Sequence, residues 1–196
     1  MGELLLIRHG ETAWSRTGQY GGRTDLPLTD AGVAAGRALR PLLARRHVVA
    51  AFTSPLRRAV RTAELIGLPD VKPDPDLLEW DYGDCEGRTE KEIGETQPGW
   101  DLWRDGVIGG ETLRQVARRT DAVLDRVRPL LRDGDVAIIG HGHLQRVLAA
   151  RWLGLEPAGG RYFLLGTASL SVLGYEHNLA EPAIRLWNDT HHLDRA

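Results

Sequence analysis

The chain has 196 residues, 42% of them hydrophobic and 27% charged, with 25 basic against 27 acidic side chains and a formal net charge of -2. That length suits one domain with a substantial core, and the near-neutral balance argues against a broad basic surface for nucleic acid or an anionic membrane. A single cysteine, Cys85, excludes an internal disulfide framework.

In chain order, the apolar run over residues 3–7 predicts a strand buried on both faces, as in a parallel sheet. Thr29 is placed to cap a helix running to about residue 45. A second buried strand follows at 48–53, and Ser54 with Pro55 reads as the cap and first position of a helix that Gly67 ends. From 111 to 132, Leu113, Val116, Ala117, Val123, Leu124, Val127 and Leu130 keep the three-and-four spacing of an amphipathic helix. Pro41 and Pro129 fall inside helical patterns and should kink or shorten them. A third buried strand at 135–139 leads into a helix after Gly142, and the segments SLSVLGYEH and AIRLWN read as further strands. Alternating strands and helices predict an α/β fold. The chain is expected to form one domain over residues 1–196. No apolar stretch is long enough to span a bilayer, and Glu3 before a short apolar run does not match a secretory leader, so a cytoplasmic setting is expected.

In parallel sheets, ligands bind beyond the carboxyl ends of the strands. Arg8 and His9 end the first run, residues 53–58 follow the second and residues 140–143 follow the third, so three distant segments should share one rim. A histidine at a strand end can be a nucleophile, a general base, a metal ligand or a structural residue. Arg8, Arg58 and His141 beside a helix start form a set suited to a phosphoryl group. Taken singly, Arg58 reads equally well as a solvated helix residue near Arg57 and Arg61, and Glu79 is one of several carboxylates with Asp76, Asp81 and Asp84. The His141-x-His143 spacing occurs in metal sites, but no carboxylate ligand set accompanies it, and no metal is expected. Other phosphatase chemistries find no support: Lys91 stands where a Cys85 phosphate loop needs arginine, and Asp74-Pro75-Asp76 does not follow an apolar strand. There is no Walker loop and no serine nucleophile elbow.

The ordered segments LIRHGET, PLTDAG, TSPLRRAVRTA, LLEWDYGDCEG and IIGHGH, spread over residues 3–188, resemble the histidine phosphatase superfamily, the clan that includes cofactor-dependent phosphoglycerate mutases. The resemblance implies a three-layer α/β/α sandwich with a mostly parallel central sheet and a phosphohistidine intermediate. It implies that His9 is the nucleophile, that Arg8 and Arg58 hold phosphate oxygens, that His141 completes the pocket, and that Glu79 is the proton donor. His9 would attack as neutral imidazole, its other ring nitrogen donating to a backbone carbonyl. The mutases carry a longer insertion after the glutamate motif, whereas residues 88–108 alone separate WDYGDCEG from GGETL here. Ser15 follows Trp14 where the mutases have asparagine, and Gln19 replaces an arginine.

Within the clan the text is most similar to bacterial broad-specificity acid phosphatases and to sedoheptulose bisphosphatases. Ser15, Gly21 and Gly22 would then border the phosphate pocket, and Tyr82, Gly142, His143, Arg88 and Arg146 are candidates for reading the rest of the substrate. The expectation is a metal- and cofactor-independent phosphomonoesterase acting on a small molecule, with neither nucleic acid nor membrane as partner. A phosphoglycerate mutase and a non-catalytic phospho-ligand binder are the alternatives. A homodimer is left open, with Trp100 or Trp103 marking either a dimer face or a pocket lid.

Overall fold

A computed structural model describes residues 1–194. The elements in chain order are β1 (Leu4–Arg8), α1 (Ala13–Thr17), α2 (Asp30–Ala38), α3 (Arg40–Leu43), β2 (Val48–Thr53), α4 (Arg57–Ile66) and β3 (Lys72–Pro73). There follow α5 (Glu90–Thr96), α6 (Leu102–Asp105), α7 (Leu113–Val127), β4 (Asp135–Gly140), α8 (Gly142–Trp152), β5 (Leu170–Tyr175) and β6 (Pro182–Asp189).

The strands form one six-stranded sheet in the order β3-β2-β4-β1-β5-β6. β3, β2, β4 and β1 run parallel, and the β5–β6 hairpin closes the sheet antiparallel to β1. Leu4 and Leu6 face a core with Val116, Val123, Leu124, Val147 and Leu148 of α7 and α8. Leu5 and Ile7 face the opposite core, with Leu39, Leu43, Ala59 and Ile66 on the α2–α4 side. All four residues of the run are fully buried, each worth about 1.5–3 kcal/mol against exposure. Burial on both faces explains why β1 and β4 read as continuous apolar runs, and the three-layer α/β/α expectation holds.

Several boundaries differ from the sequence reading for local reasons. The helix expected from Thr29 to about residue 45 is broken: Thr29 caps α2 by accepting from the Gly32 N–H, and a separate short α3 carries Pro41 in its first turn. Pro41 has no N–H to continue the α2 ladder. Likewise α7 is capped by Thr112, whose hydroxyl accepts from Gln115, and Pro129 turns the segment Arg128–Arg132 into a 3-10 helix. Ser54 is not the cap of α4. Its N–H donates to Ile139 O at 3.0 Å, continuing the sheet ladder, and α4 begins only at Arg57, whose N–H donates to Asp25 Oδ1 at 2.7 Å. Trp100 and Trp103 are half-buried against the core rather than exposed.

Sheet register sets the site. Arg8 lies opposite Gly140 and Thr53 opposite Ile139, so the carboxyl ends of β1, β4 and β2 are side by side. Beyond β1 the ladder persists for one residue: the His9 N–H donates to Gly140 O at 2.9 Å and His9 O accepts from Ala168 N–H at 3.0 Å. The next turn presses onto α2, because a Cβ on Gly10 would stand 2.4 Å from Gly32 O and one on Gly32 would stand 2.2 Å from Glu11 O. Only two glycines allow that approach.

Candidate active site

A cleft of about 260 Å³ opens at this rim. Its floor carries Arg8, His9 and Arg58, and Glu79, Tyr82 and His143 stand on its wall. Three segments far apart in sequence therefore converge as the sheet topology requires.

His9 is 5% exposed, and its Nδ1 lies 2.7 Å from Gly10 O. A carbonyl only accepts, so Nδ1 holds the proton and Nε2 is bare. Burial, then the Arg58 and Arg8 charges, push the His9 pKa well below its ordinary value, although the Gly10 bond opposes this. A neutral imidazole with one unprotonated nitrogen is thus built into the fold.

Arg58 is 1% exposed, which excludes the solvated reading. Its Nε donates to His141 Nδ1 at 3.1 Å, one Nη donates to Thr24 O, and the other donates to Gly21 O and Gly22 O, each at 2.8 Å. The 21–24 loop and His141 hold the guanidinium rigid with one N–H unspent. Arg8 is held more loosely, with one Nη donating to Leu165 O and a buried Nε that has no partner among the described residues. Gly142 leaves room for it, since a Cβ there would stand 3.3 Å from the Arg8 Nε and Cζ. Neither arginine has a carboxylate within 4.0 Å among the described residues, so both charges are available to an anion.

His141 is fully buried and does not line the cleft directly. Because Nδ1 accepts from Arg58, its proton sits on Nε2, which donates to Ser54 Oγ at 2.7 Å. Burial, then Arg58, hold this imidazole neutral, with its pKa well below the ordinary value. The ring lies edge-on to His9 at a centroid distance of 5.1 Å. His141 therefore orients Arg58, whose Nε–H fixes the imidazole tautomer, and Ser54, read from sequence as a helix cap, accepts the remaining ring N–H.

Glu79 is 4% exposed. Its Oε1 accepts from Trp80 N–H at 2.9 Å and Leu144 N–H at 2.8 Å, and its Oε2 accepts from His143 N–H at 3.0 Å. The first turn of α8 thus anchors the carboxyl and leaves Oε2 one open acceptor position. Asp76, Asp81 and Asp84 do not line the cleft, whereas Glu79 and Glu90 do, and of these two Glu79 is the one held by the first turn of α8. Tyr82 and His143 share a 2.6 Å hydrogen bond between hydroxyl and Nδ1. Burial, then Glu79, hold the Tyr82 phenol protonated, far above its ordinary pKa; burial, then Arg146, lower that of His143.

The remaining candidates divide. Ser15 lines the cleft and completes a capping box with Thr12, and Gly21 and Gly142 also line it. Gly22 does not; its carbonyl serves Arg58. Arg88 donates to Glu92 O and Thr96 Oγ1 of α5, away from the cleft, whereas Arg146 lines it, stacked 4.8 Å from the Trp103 ring centroid. The sequence reading passed over Thr12, Tyr20, Glu90 and Leu165 on the wall. Thr12 lies three residues after His9, within reach of the motif, and Glu90 opens α5 after the Thr89 cap, whereas Tyr20 and Leu165 come from loops with no local signal.

The histidine phosphatase superfamily (branch 1) profile matches residues 4–190. The chain is 39% identical over 185 residues to an acid phosphatase of Mycobacterium tuberculosis, covering 92% of this chain and 90% of that protein. It is 32% identical to the sedoheptulose 1,7-bisphosphatase of Saccharomyces cerevisiae, covering 93% and 91%. A solved structure of an open reading frame product from Mycobacterium tuberculosis superposes with a TM-score of 0.91 at 36% identity, over 97% of this chain and 99% of that one. With the histidine, two arginines and glutamate of its motifs gathered at one cleft, the chain belongs to the histidine phosphatase superfamily.

Proposed function

We propose that the protein hydrolyses phosphomonoesters of small metabolites, sugar phosphates among them, through a phosphohistidine at His9. The observation that carries this reading is a bare Nε2 on a neutral His9, set between the buried Arg58 and the half-buried Arg8, neither of which has a carboxylate partner among the described residues. The Nε2 lone pair attacks phosphorus as the P–O ester bond breaks, and the Glu79 carboxyl protonates the departing alkoxide. Arg8 and the free N–H of Arg58 neutralise charge on the transferring oxygens, and phosphoryl transfer depends mainly on such placement. Glu79, now a carboxylate, takes a proton from water as that water attacks the phosphohistidine, releasing phosphate and restoring neutral His9.

The acid phosphatase and sugar bisphosphatase relatives support a small phosphorylated substrate. One reduced, buried cysteine fits a cytoplasmic setting, and a single sheet flanked by helices fits one domain. No helix among the described residues is long and apolar enough to cross a membrane.

Rapid-quench labelling tests the reading. Incubation with a phosphomonoester should give an acid-labile, alkali-stable phosphoenzyme and free phosphate, both unaffected by EDTA and both lost in His9→Ala. Undiminished turnover by His9→Ala refutes it. Isomerisation of phosphoglycerate outpacing phosphate release points to the mutase instead.

A further inference from the structure

Glu79 sits on a segment without regular structure, yet a proton donor must be held to a fraction of an ångström to act. What holds it is a third arginine, largely buried and outside the cleft. Arg119 of α7 uses all five of its N–H groups. Nε and one Nη donate to Glu111 Oε1 and Oε2 at 2.8 and 2.9 Å, and the Nη groups also donate to the carbonyls of Asp76, Leu78 and Glu79. Glu111 grips the same segment from the other side. Its Oε2 accepts from Asp81 N–H at 2.9 Å, its N–H donates to Asp81 O at 2.9 Å, and its O accepts from Trp80 Nε1 at 2.8 Å. The backbone on either side of the Glu79 Cα is therefore fastened to one ion pair, whose side chains are 10% and 16% exposed.

We propose that the Arg119–Glu111 pair is a positioning device for proton transfer, setting where the Glu79 carboxyl stands over the cleft. This rests on the reading of Glu79 as proton donor. Neither residue lines the cleft, so both act through Glu79.

The leaving group provides a test. p-Nitrophenolate departs from phosphorus without a proton, whereas the alkoxide of glycerol phosphate needs one. kcat/KM covers the steps up to the first phosphoryl transfer, where that difference is felt. Glu79→Gln sets the reference: it should depress kcat/KM for glycerol phosphate far more than for p-nitrophenyl phosphate. Glu111→Gln should show the same bias, with an extra loss of about tenfold or more on the alkyl ester. Arg119→Lys, which retains the charge, gives the same comparison if Glu111→Gln does not fold. In a Glu79→Gln background the added bias should vanish, as for two changes acting through one group. Equal losses on both esters, no loss on either, or a bias that persists in the double variant overturn the proposal. Should Glu79→Gln itself be indifferent to the leaving group, the assignment of Glu79 falls and the proposal with it; a biased Glu79→Gln beside unbiased partners removes the proposal alone.

Discussion

Two regions of the molecule bury arginine in opposite ways. At the cleft, Arg8 spends one N–H on a carbonyl and Arg58 four on neutral acceptors, with no carboxylate beside either among the described residues. Behind the wall, Arg119 spends all five, two of them on Glu111. A buried charge without a counter-ion is costly, and a paired one is close to neutral in its effect. Under the proposed function that cost is offset when the phosphoryl anion binds between Arg8 and Arg58. Unspent donors and missing carboxylates thus separate arginines that serve a ligand from an arginine that serves the architecture.

The largest effect on stability expected to sharpen this contrast is at Arg119. Arg119→Met leaves Glu111 with only the longer 3.2 Å pair to the partly exposed Arg23 and strips the donors from the carbonyls of Asp76, Leu78 and Glu79, so urea unfolding should show a loss of about 1–3 kcal/mol; no measurable loss would place Arg119 with the cleft arginines. Arg8→Met should do the reverse. Its kcat/KM should fall by about 10²–10³-fold, the usual loss of a charge-stabilising donor, while the urea midpoint stays level or rises. A marked drop in that midpoint would break the comparison.

A smaller effect follows from the same uncompensated charges. His9, His141 and His143 are held neutral, mainly by burial and with help from neighbouring arginines, so their folded pKa values lie well below 6.5. As pH falls through 6.5 the unfolded chain takes up protons that the folded chain refuses. Stability therefore decreases toward acid, until the lowered folded values are reached, by up to about 1.4 kcal/mol per pH unit for each imidazole. Urea midpoints between about pH 7.5 and 5.5 should show this slope, and His143→Asn should flatten it; an unchanged slope would mean that His143 titrates as an exposed histidine does. The same displacement keeps His9 Nε2 bare in mildly acidic solution. The smallest effect is at Arg61, whose pair with Glu64 at 2.7 Å is half exposed on both sides. Arg61→Ala should change unfolding by less than about 1 kcal/mol and leave kcat/KM unaltered.

Legibility in the sequence followed the range of the forces involved. β1 and β4 were readable because strands buried on both faces are written as apolar runs, and Thr29 and Gly67 because capping is a local event; β2 is apolar as well, but with only the short β3 beyond it Val49 is exposed and only Ala51 and Thr53 are buried. β3, two residues long, carries no pattern of its own and exists only because β2 offers it an edge. Ser54 was misread for the converse reason. Its local context is that of a helix cap, but the ladder to Ile139 and the ring of His141 claim it first. Arg58 was undecidable between solvent and cleft, because its burial comes from the carbonyls of residues 21–24. Arg119 left no trace in the sequence reading, since the segment it fastens lies about forty residues before it in the chain.

The sequence by itself determined which segments bury, where most helices begin and, through the resemblance its motifs carry, which side chains belong to the candidate site: Arg8, His9, Arg58, Glu79 and His141. Only the tertiary structure decided that His9 is neutral with Nε2 bare, that His141 works through Arg58, and that Glu79 is fastened from behind. Tautomer and charge state depend on desolvation and on charges a few ångströms away, and those neighbours meet only when the sheet has formed.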